Sequence, residues 1–196
     1  MANTSASGGY LTPTSAPLVE DDALDDIFSG AIAGITGLAG ELVRPKWQKK
    51  PPKRPASTVN WCAFGVTEDN ADAGPVIAHD PDADEGLGQD TYTRHKDITV
   101  IASFYGPAAK GVAQLLEDGI AIPQNLEELQ LNSICFISAG TIRAVPESVN
   151  MQWLDRYDLL LYFRRAVTRT YAVQNILTAG VELNADGYIT EIIVEP

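Results

Sequence analysis

The sequence predicts an α+β fold: a largely antiparallel sheet flanked by helices, with an extended N-terminal arm. Three observations predict it. Strand-type alternation recurs after residue 60, often in neighbouring runs that connect as meanders. A long helical period precedes those runs, and two shorter ones interrupt them. The first 19 residues are small, polar and proline-containing. The chain is 45% apolar and 20% charged, which favours a folded core over disorder. Its 196 residues suit one domain of ordinary size with an arm.

Residues 1–19 read as an arm that is ordered only where something holds it. The pattern changes at Glu20. Asp21, Asp22, Asp25 and Asp26 are placed at the start of a helix, where carboxylates suit the macrodipole. Leu24, Ile27, Phe28, Ala31, Ile32 and Ile35 follow at helical spacing. Gly37 or Gly40 is the expected stop.

Residues 44–55, RPKWQKKPPKRP, form a stiff cationic strap. Each proline disfavours helix for the residue before it, so an extended or polyproline-like course is expected. Proline lacks the donor a central strand needs, so the strap has to lie over a surface.

In NWCAFGV, Cys62, Phe64 and Val66 share one strand face, and Trp61 and Ala63 the other. Residues 68–90 read as a loop or a wide hairpin connection. HKDITVIASFYG alternates again, with Ile98, Val100, Ala102 and Phe104 on one side and Thr99 and Ser103 on the other. A helix is expected over about 107–118, with Val112, Leu115 and Leu116 as its stripe and Pro107 in its first turn. LEELQL gives a second short helical piece, SICFISAGTI a strand and RYDLLLYFRRAVTRTYAV a long one. VELNADGYITEIIV reads as a hairpin turning at 184–187. The expected organisation is an arm (1–19), a helix plus strap (20–55) and an α+β domain (56–196).

Charge is unevenly spread. There are 26 carboxylates against 14 Lys and Arg. Residues 1–43 hold six acids and no base, and residues 44–55 hold six bases and no acid. So acidic a chain is ill-suited to wrapping nucleic acid over its whole surface. No apolar run reaches the roughly 18 residues a bilayer span requires. The first residues lack the charged and apolar regions of a secretory signal. Cys62 and Cys135 sit in apolar strand-like runs and read as two buried free thiols, with a disulfide as the alternative.

Catalytic and metal patterns are weak. HDPDADEG (79–86) resembles the opening of a calcium loop, but counting from Asp80 puts Glu85 where glycine is needed and Thr91 where glutamate is needed. A solvated acidic loop is the expected state, with a weak cation site as the alternative. Neither His79 nor His95 lies in a nucleophile motif, and no phosphate-binding glycine loop is present. The sequence therefore assigns no catalytic residue, cofactor or metal ligand. Arg164, Arg165 and Arg169 lie on the long strand, Arg164 facing opposite to the other two. They read as exposed charges that discourage aggregation, or as contacts to acidic partners.

The strap is the principal candidate site. Its cations are Arg44, Lys46, Lys49, Lys50, Lys53 and Arg54, with Trp47 and Gln48 among them. A nucleic-acid arm, a peptide-domain ligand, an intramolecular strap and a subunit contact are all conceivable. The subunit contact uses both charge blocks: Asp21, Asp22, Asp25 and Asp26 of one copy meet the strap of the next.

The stretch Val43, Arg44, Pro45, Trp47, Gln48, Pro51 and Pro52, followed by Trp61, Cys62, Ala63, Phe64 and Gly65, resembles a motif of phage neck and tail terminator-like proteins. These belong to contractile-tailed phages and prophages. ITVIASFYGP and LDRYDLLLYFRR add to the resemblance, which spans most of 20–196. Lys50 and Lys53 depart from it, standing where neutral residues are expected. The resemblance implies a non-enzymatic structural virion protein at the head–tail junction, with an antiparallel sheet flanked by helices. It implies a homo-oligomeric ring, usually a hexamer, between tail tube, sheath and neck or connector proteins. Genomic DNA would pass through the lumen, and assembly would take place in the host cytoplasm, away from any membrane. The alternative is an adaptor or nucleic-acid-binding module using 44–55 as a cationic arm.

Overall fold

The computed structural model describes residues 3–149, 151–176, 179–185 and 188–194, with side chains described through residue 176. The first helix, α1 (Asp21–Thr36), presents the expected face. Leu24, Phe28 and Ile32 are buried, and Ile27, Ala31 and Ile35 pack half-buried beside them. It stops where Gly37 takes φ 72° and its N–H bonds to the Ala33 carbonyl, the backbone conformation glycine adopts without penalty.

A 3-10 turn (Gly40–Leu42) leads into β1 (Val43–Pro45), which pairs in parallel with β2 (Trp61–Ala71). β1 lies at the sheet edge, where a proline is tolerated. Of the two readings of 68–90, the loop is corrected and the hairpin connection is the nearer. β2 continues to Ala71, and β3 (Val76–Asp80) pairs with the first part of β4 (Gln89–Tyr105). Every β3 residue is exposed, so no apolar alternation marks the strand in the sequence. A single turn between them, α2 (Ala83–Gly86), places Asp84 and Glu85 in the left-handed region.

α3 (Ala109–Gly119) keeps two of the three expected stripe residues: Leu116 is buried and Val112 packs half-buried against the core, whereas Leu115 is 54% exposed. Ala109, Ala113 and Gly119 complete the buried face. Small residues face inward because α1 lies close: a Cβ at Gly119 would strike Ile35. A 3-10 turn (Pro123–Leu126) and α4 (Glu127–Leu131) follow. Then come β5 (Ile134–Ala139), β6 (Arg143–Ala144), the small hairpin β7 (Glu147–Val149) with β8 (Gln152–Leu154), and β9 (Arg156–Tyr171). β10 (Ala179–Ala185) and β11 (Tyr188–Val194) form an antiparallel hairpin with Ala185 opposite Tyr188. Asp186 and Gly187 of the expected turn lie outside the described residues.

The chain divides into two compact units, and β4 and β9 contribute residues to both. The larger (Pro17–Pro75 with Arg94–Val167) holds a sheet ordered β1-β2-β4-β9-β5, with β6 also on β9. Its β2–β4, β5–β9 and β6–β9 pairs are antiparallel. Cys62, Phe64, Val100, Ala102, Phe104, Leu159, Leu161 and Phe163 form one sheet face, joined in a single core cluster to α1, α3 and α4. The fold is thus α+β, with its helices on one side of the sheet.

In the smaller unit (Met1–Ala16, Val76–Thr93 and Thr168–Pro196), the arm is held by backbone bonds. The Ser5 N–H donates to the Ala172 carbonyl at 3.0 Å, and the Thr14 N–H to the Thr170 carbonyl at 2.8 Å. The expected burial of both cysteines holds for Cys62 alone. Cys135 is exposed because it alternates with Ile134, whose side chain takes the core side of an edge strand. Both thiols are free. No helix among the described residues is long and apolar enough to cross a membrane.

Candidate functional site

Strand alternation gives the larger unit's sheet a second face, opposite the helices. β2 contributes Trp61, Ala63 and Gly65 to it; Tyr105, Ser103 and Ile101 stand opposite them on β4. β9 adds Arg156 and Asp158. The strap runs across this face. Together they line a cleft of about 390 Å³, with Arg44, Lys46, Gln48, Pro51 and Arg54 on one side and Trp61, Ala63, Tyr105 and Arg156 on the other.

Two anchors fasten the strap. At its start, the Lys46 N–H donates to the Phe64 carbonyl at 2.7 Å, continuing the β1 pairing. The Trp47 ring lies against Gly65, where an added Cβ would sit 2.5 Å from a ring carbon. Glycine at this buried position is therefore required by the close approach of the strap. Gly65→Ala should displace Trp47, whose ring is 68% exposed and can swing into solvent, at a cost of about 1 kcal/mol. Faster backbone exchange across 46–48 at unchanged secondary structure is the expected readout. Unaltered exchange there would place the ring elsewhere.

The second anchor is electrostatic. Arg54 donates to Glu147 at 3.1 Å and stands over the Tyr105 ring, 4.7 Å from its centroid. Trp61 and Tyr105 are stacked at 4.3 Å, giving the guanidinium a paired aromatic platform. Arg156 binds the other Glu147 oxygen at 2.6 Å and meets Asp158 with two bonds of 2.8 Å each. The fully buried Ser103 hydroxyl also donates to Asp158.

The shifts follow from this geometry. Burial pushes Glu147 up, but hydrogen bonds from Arg156 and Arg54 outweigh it and hold the carboxylate below its usual range. Burial raises the Tyr105 phenol to about 12. Burial also lowers Lys46, and the nearby Arg156 lowers it further. The Cys62 thiol is raised by full burial, which makes it unreactive.

The remaining expected site residues divide clearly. Arg44 turns inward, donating to the Glu41 carbonyl at 2.6 Å and the Lys53 carbonyl at 3.0 Å. Gln48 is half-buried. Lys49, Lys50 and Lys53 are exposed and form no ion pair among the described residues. Asp21, Asp22 and Asp26 are exposed and likewise unpaired among those residues, while Asp25 is half-buried. Burial raises the Asp25 carboxyl, and Asp22, Asp26 and Asp21 push it further. The acid block is thus a repulsive cluster within its own chain.

Sequence reasoning missed Glu147, Arg156, Asp158 and Tyr105. The parity of β9 was the available signal: Arg156 and Asp158 alternate with the apolar Leu159, Leu161 and Phe163. The exposed reading of Arg165 is corrected. It is 4% exposed and bonds Glu20 at 3.1 Å and the Val19 carbonyl at 2.6 Å, fixing the entry to α1. Arg164 pairs with Asp72 and Asp97. Among the described residues, no group of three or more His, Cys, Asp or Glu is placed to hold a metal ion.

These contacts fasten a strap across a sheet and fix the entry to a helix, and the fold is that of an α+β protein. A family model described as "Phage neck terminator protein" matches residues 22–187, and the chain belongs to that family. Its role is structural, at the head–tail junction of a phage, and it is a virion component that meets other head–tail proteins. A comparison with curated protein sequences gives no match.

Proposed function

We propose that copies of this chain close into a ring, usually of six, at the phage neck or tail terminus. The acid block of one copy, Asp21, Asp22 and Asp26, meets Lys49, Lys50 and Lys53 of the next. One observation carries the reading: these two opposite sets are exposed and unpaired among the described residues, whereas Arg44 and Arg54 are spent inside the chain. The internal anchors present the strap as a fixed surface, so docking costs less conformational entropy. Head-to-tail contacts of this kind close only in a cyclic assembly. The ring joins tail tube and sheath to the neck or connector, is assembled in the host cytoplasm, and lets DNA pass through a lumen kept non-adhesive by net negative charge.

Exposed ion pairs contribute about 0–1 kcal/mol each, so three per contact amount to roughly 0–3 kcal/mol. Reversing Lys49, Lys50 and Lys53 to Glu should weaken the ring while leaving the melting temperature of the monomer unchanged. Reversing Asp21, Asp22 and Asp26 to Lys should weaken the ring likewise, with some loss of monomer melting temperature because lysines oppose the α1 macrodipole. An equimolar mixture should reassemble, because complementary contacts then alternate, and the rings should hold an even number of copies. Light scattering and negative-stain images read the outcome. Full-size rings from either variant alone at physiological salt would remove this interface. A salt-dependent shift of duplex DNA, lost in the lysine variant, would instead favour the nucleic-acid-binding adaptor.

A further inference from the structure

The smaller unit holds a charged group that the structural role leaves unused. His79, on β3, bonds Asp90 of β4 through Nδ1 at 2.7 Å and the Asn175 side-chain oxygen through Nε2 at 2.7 Å. The Asn175 amide orientation is fixed independently. Its Nδ2 donates to the Pro81 carbonyl at 2.9 Å and the Gly86 carbonyl at 3.0 Å, so Oδ1 has to be the atom facing His79. Both ring nitrogens therefore face oxygen acceptors, and only the doubly protonated imidazolium donates to both.

Asn175 is the keystone of the acidic loop. Its backbone N–H donates to the Leu87 carbonyl at 2.7 Å. Its side chain closes on Gly88, at φ 94°, where any Cβ would sit 2.5 Å from Oδ1. Asn175 follows β9 and lies four residues before β10, so this contact tethers the segment leading to the C-terminal hairpin.

We propose that His79, Asp90 and Asn175 form a protonation-dependent latch, closed while His79 is an imidazolium, that ties residues 172–176 to the 81–88 loop. The charged groups nearest the ring are Asp90 on β4 and Asp80 on β3, and the half-exposed ring faces solvent on its open side. The hydrogen bonds to Asp90 and Asn175 raise the His79 pKa, with the Asp90 and Asp80 charges adding to the effect. Stability from this group is fully present below the unfolded value, about 6.5, and is lost as pH rises through the folded value. On deprotonation one nitrogen becomes an acceptor facing an acceptor, and the latch opens.

The test uses the full chain, which contains only His79 and His95. Hydrogen exchange at the imidazole C2 position, followed by mass spectrometry, gives the His79 pKa in an assembly of any size. His79 should titrate above the ordinary imidazole value of about 6.5. Asn175→Ala and Asp90→Asn should each lower the His79 value. Backbone exchange across 172–176, corrected for intrinsic pH dependence, should accelerate at least tenfold as pH rises through the His79 pKa. His79→Ala should show that fast exchange at every pH. A His79 value at or below about 6.5 would overturn the latch, as would exchange at 172–176 indifferent to both pH and His79→Ala.

Discussion

Phe163→Ala is expected to cost about 3–5 kcal/mol of folding stability. The ring is 1% exposed and lies between two others, with Phe28 of α1 at 5.1 Å and Phe136 of β5 at 5.7 Å. It therefore joins the helix layer to the central and edge strands at one point. Truncation removes buried apolar area, leaves a cavity that the flanking strands hold open, and discards two tilted aromatic contacts. Native domains have only about 5–15 kcal/mol in hand, so the loss is a large fraction of the total. Urea unfolding should show a lower midpoint with an unchanged slope. Phe136→Ala, at a half-buried position, should cost less. A loss below about 1.5 kcal/mol for Phe163→Ala would mean that α1 does not rest on this ring.

The second large effect is expected from Arg156→Met. The substitution keeps much of the side-chain length and removes the charge that holds Glu147 and Asp158 together. Breaking a fully buried pair costs about 3–5 kcal/mol, because a carboxylate is left without its partner. The Arg156 side chain is 20% exposed and that of Glu147 28%, so solvent screening reduces the figure to about 2–3 kcal/mol. The acid side should report the same contact. Glu147 is held below its usual range in the folded chain, so its contribution is present above the unfolded value of about 4.3 and is lost as pH falls through the folded one. The native protein should therefore lose stability on acidification more steeply than the variant. Chemical denaturation from pH 3 to pH 7 measures both curves, and parallel curves would exclude Glu147 as the coupled group.

Arg54→Met, by contrast, should free the strap, because it removes the strap's own bond to Glu147 and its seat over Tyr105. Faster backbone exchange across 46–55 is the accompanying sign. That separates strap release from a general loss of stability, which would raise exchange throughout the sheet.

Where local chemistry and burial agree, the sequence was readable. The α1 stripe, its glycine stop and the alternation in NWCAFGV and HKDITVIASFYG were all legible, because one apolar face repeated at one period marks the element. β3 was not legible: all its residues are exposed, and its edge is recognised only through pairing with β4. The stripe of α3 was legible in part: Val112 and Leu116 meet the core, but Leu115 does not, because Ala109, Ala113 and Gly119 carry the rest of the contact and small residues give little hydrophobic signal. Arg165 read as a surface charge for want of its partner, since Glu20 lies far back in the chain.

By itself the sequence determined the class of fold, the segregation of six cations into one proline-stiffened strap, and a motif resembling the neck terminator family. These follow from composition and short-range order, which need no knowledge of what folds against what. The tertiary structure alone decided how those cations divide. Glu147 lies 93 residues from Arg54, and only the closed sheet brings it, Asp158 and Arg156 under the strap. A charge's role depends on the dielectric and the counter-charge around it, and both are set by chain segments that become neighbours only on folding.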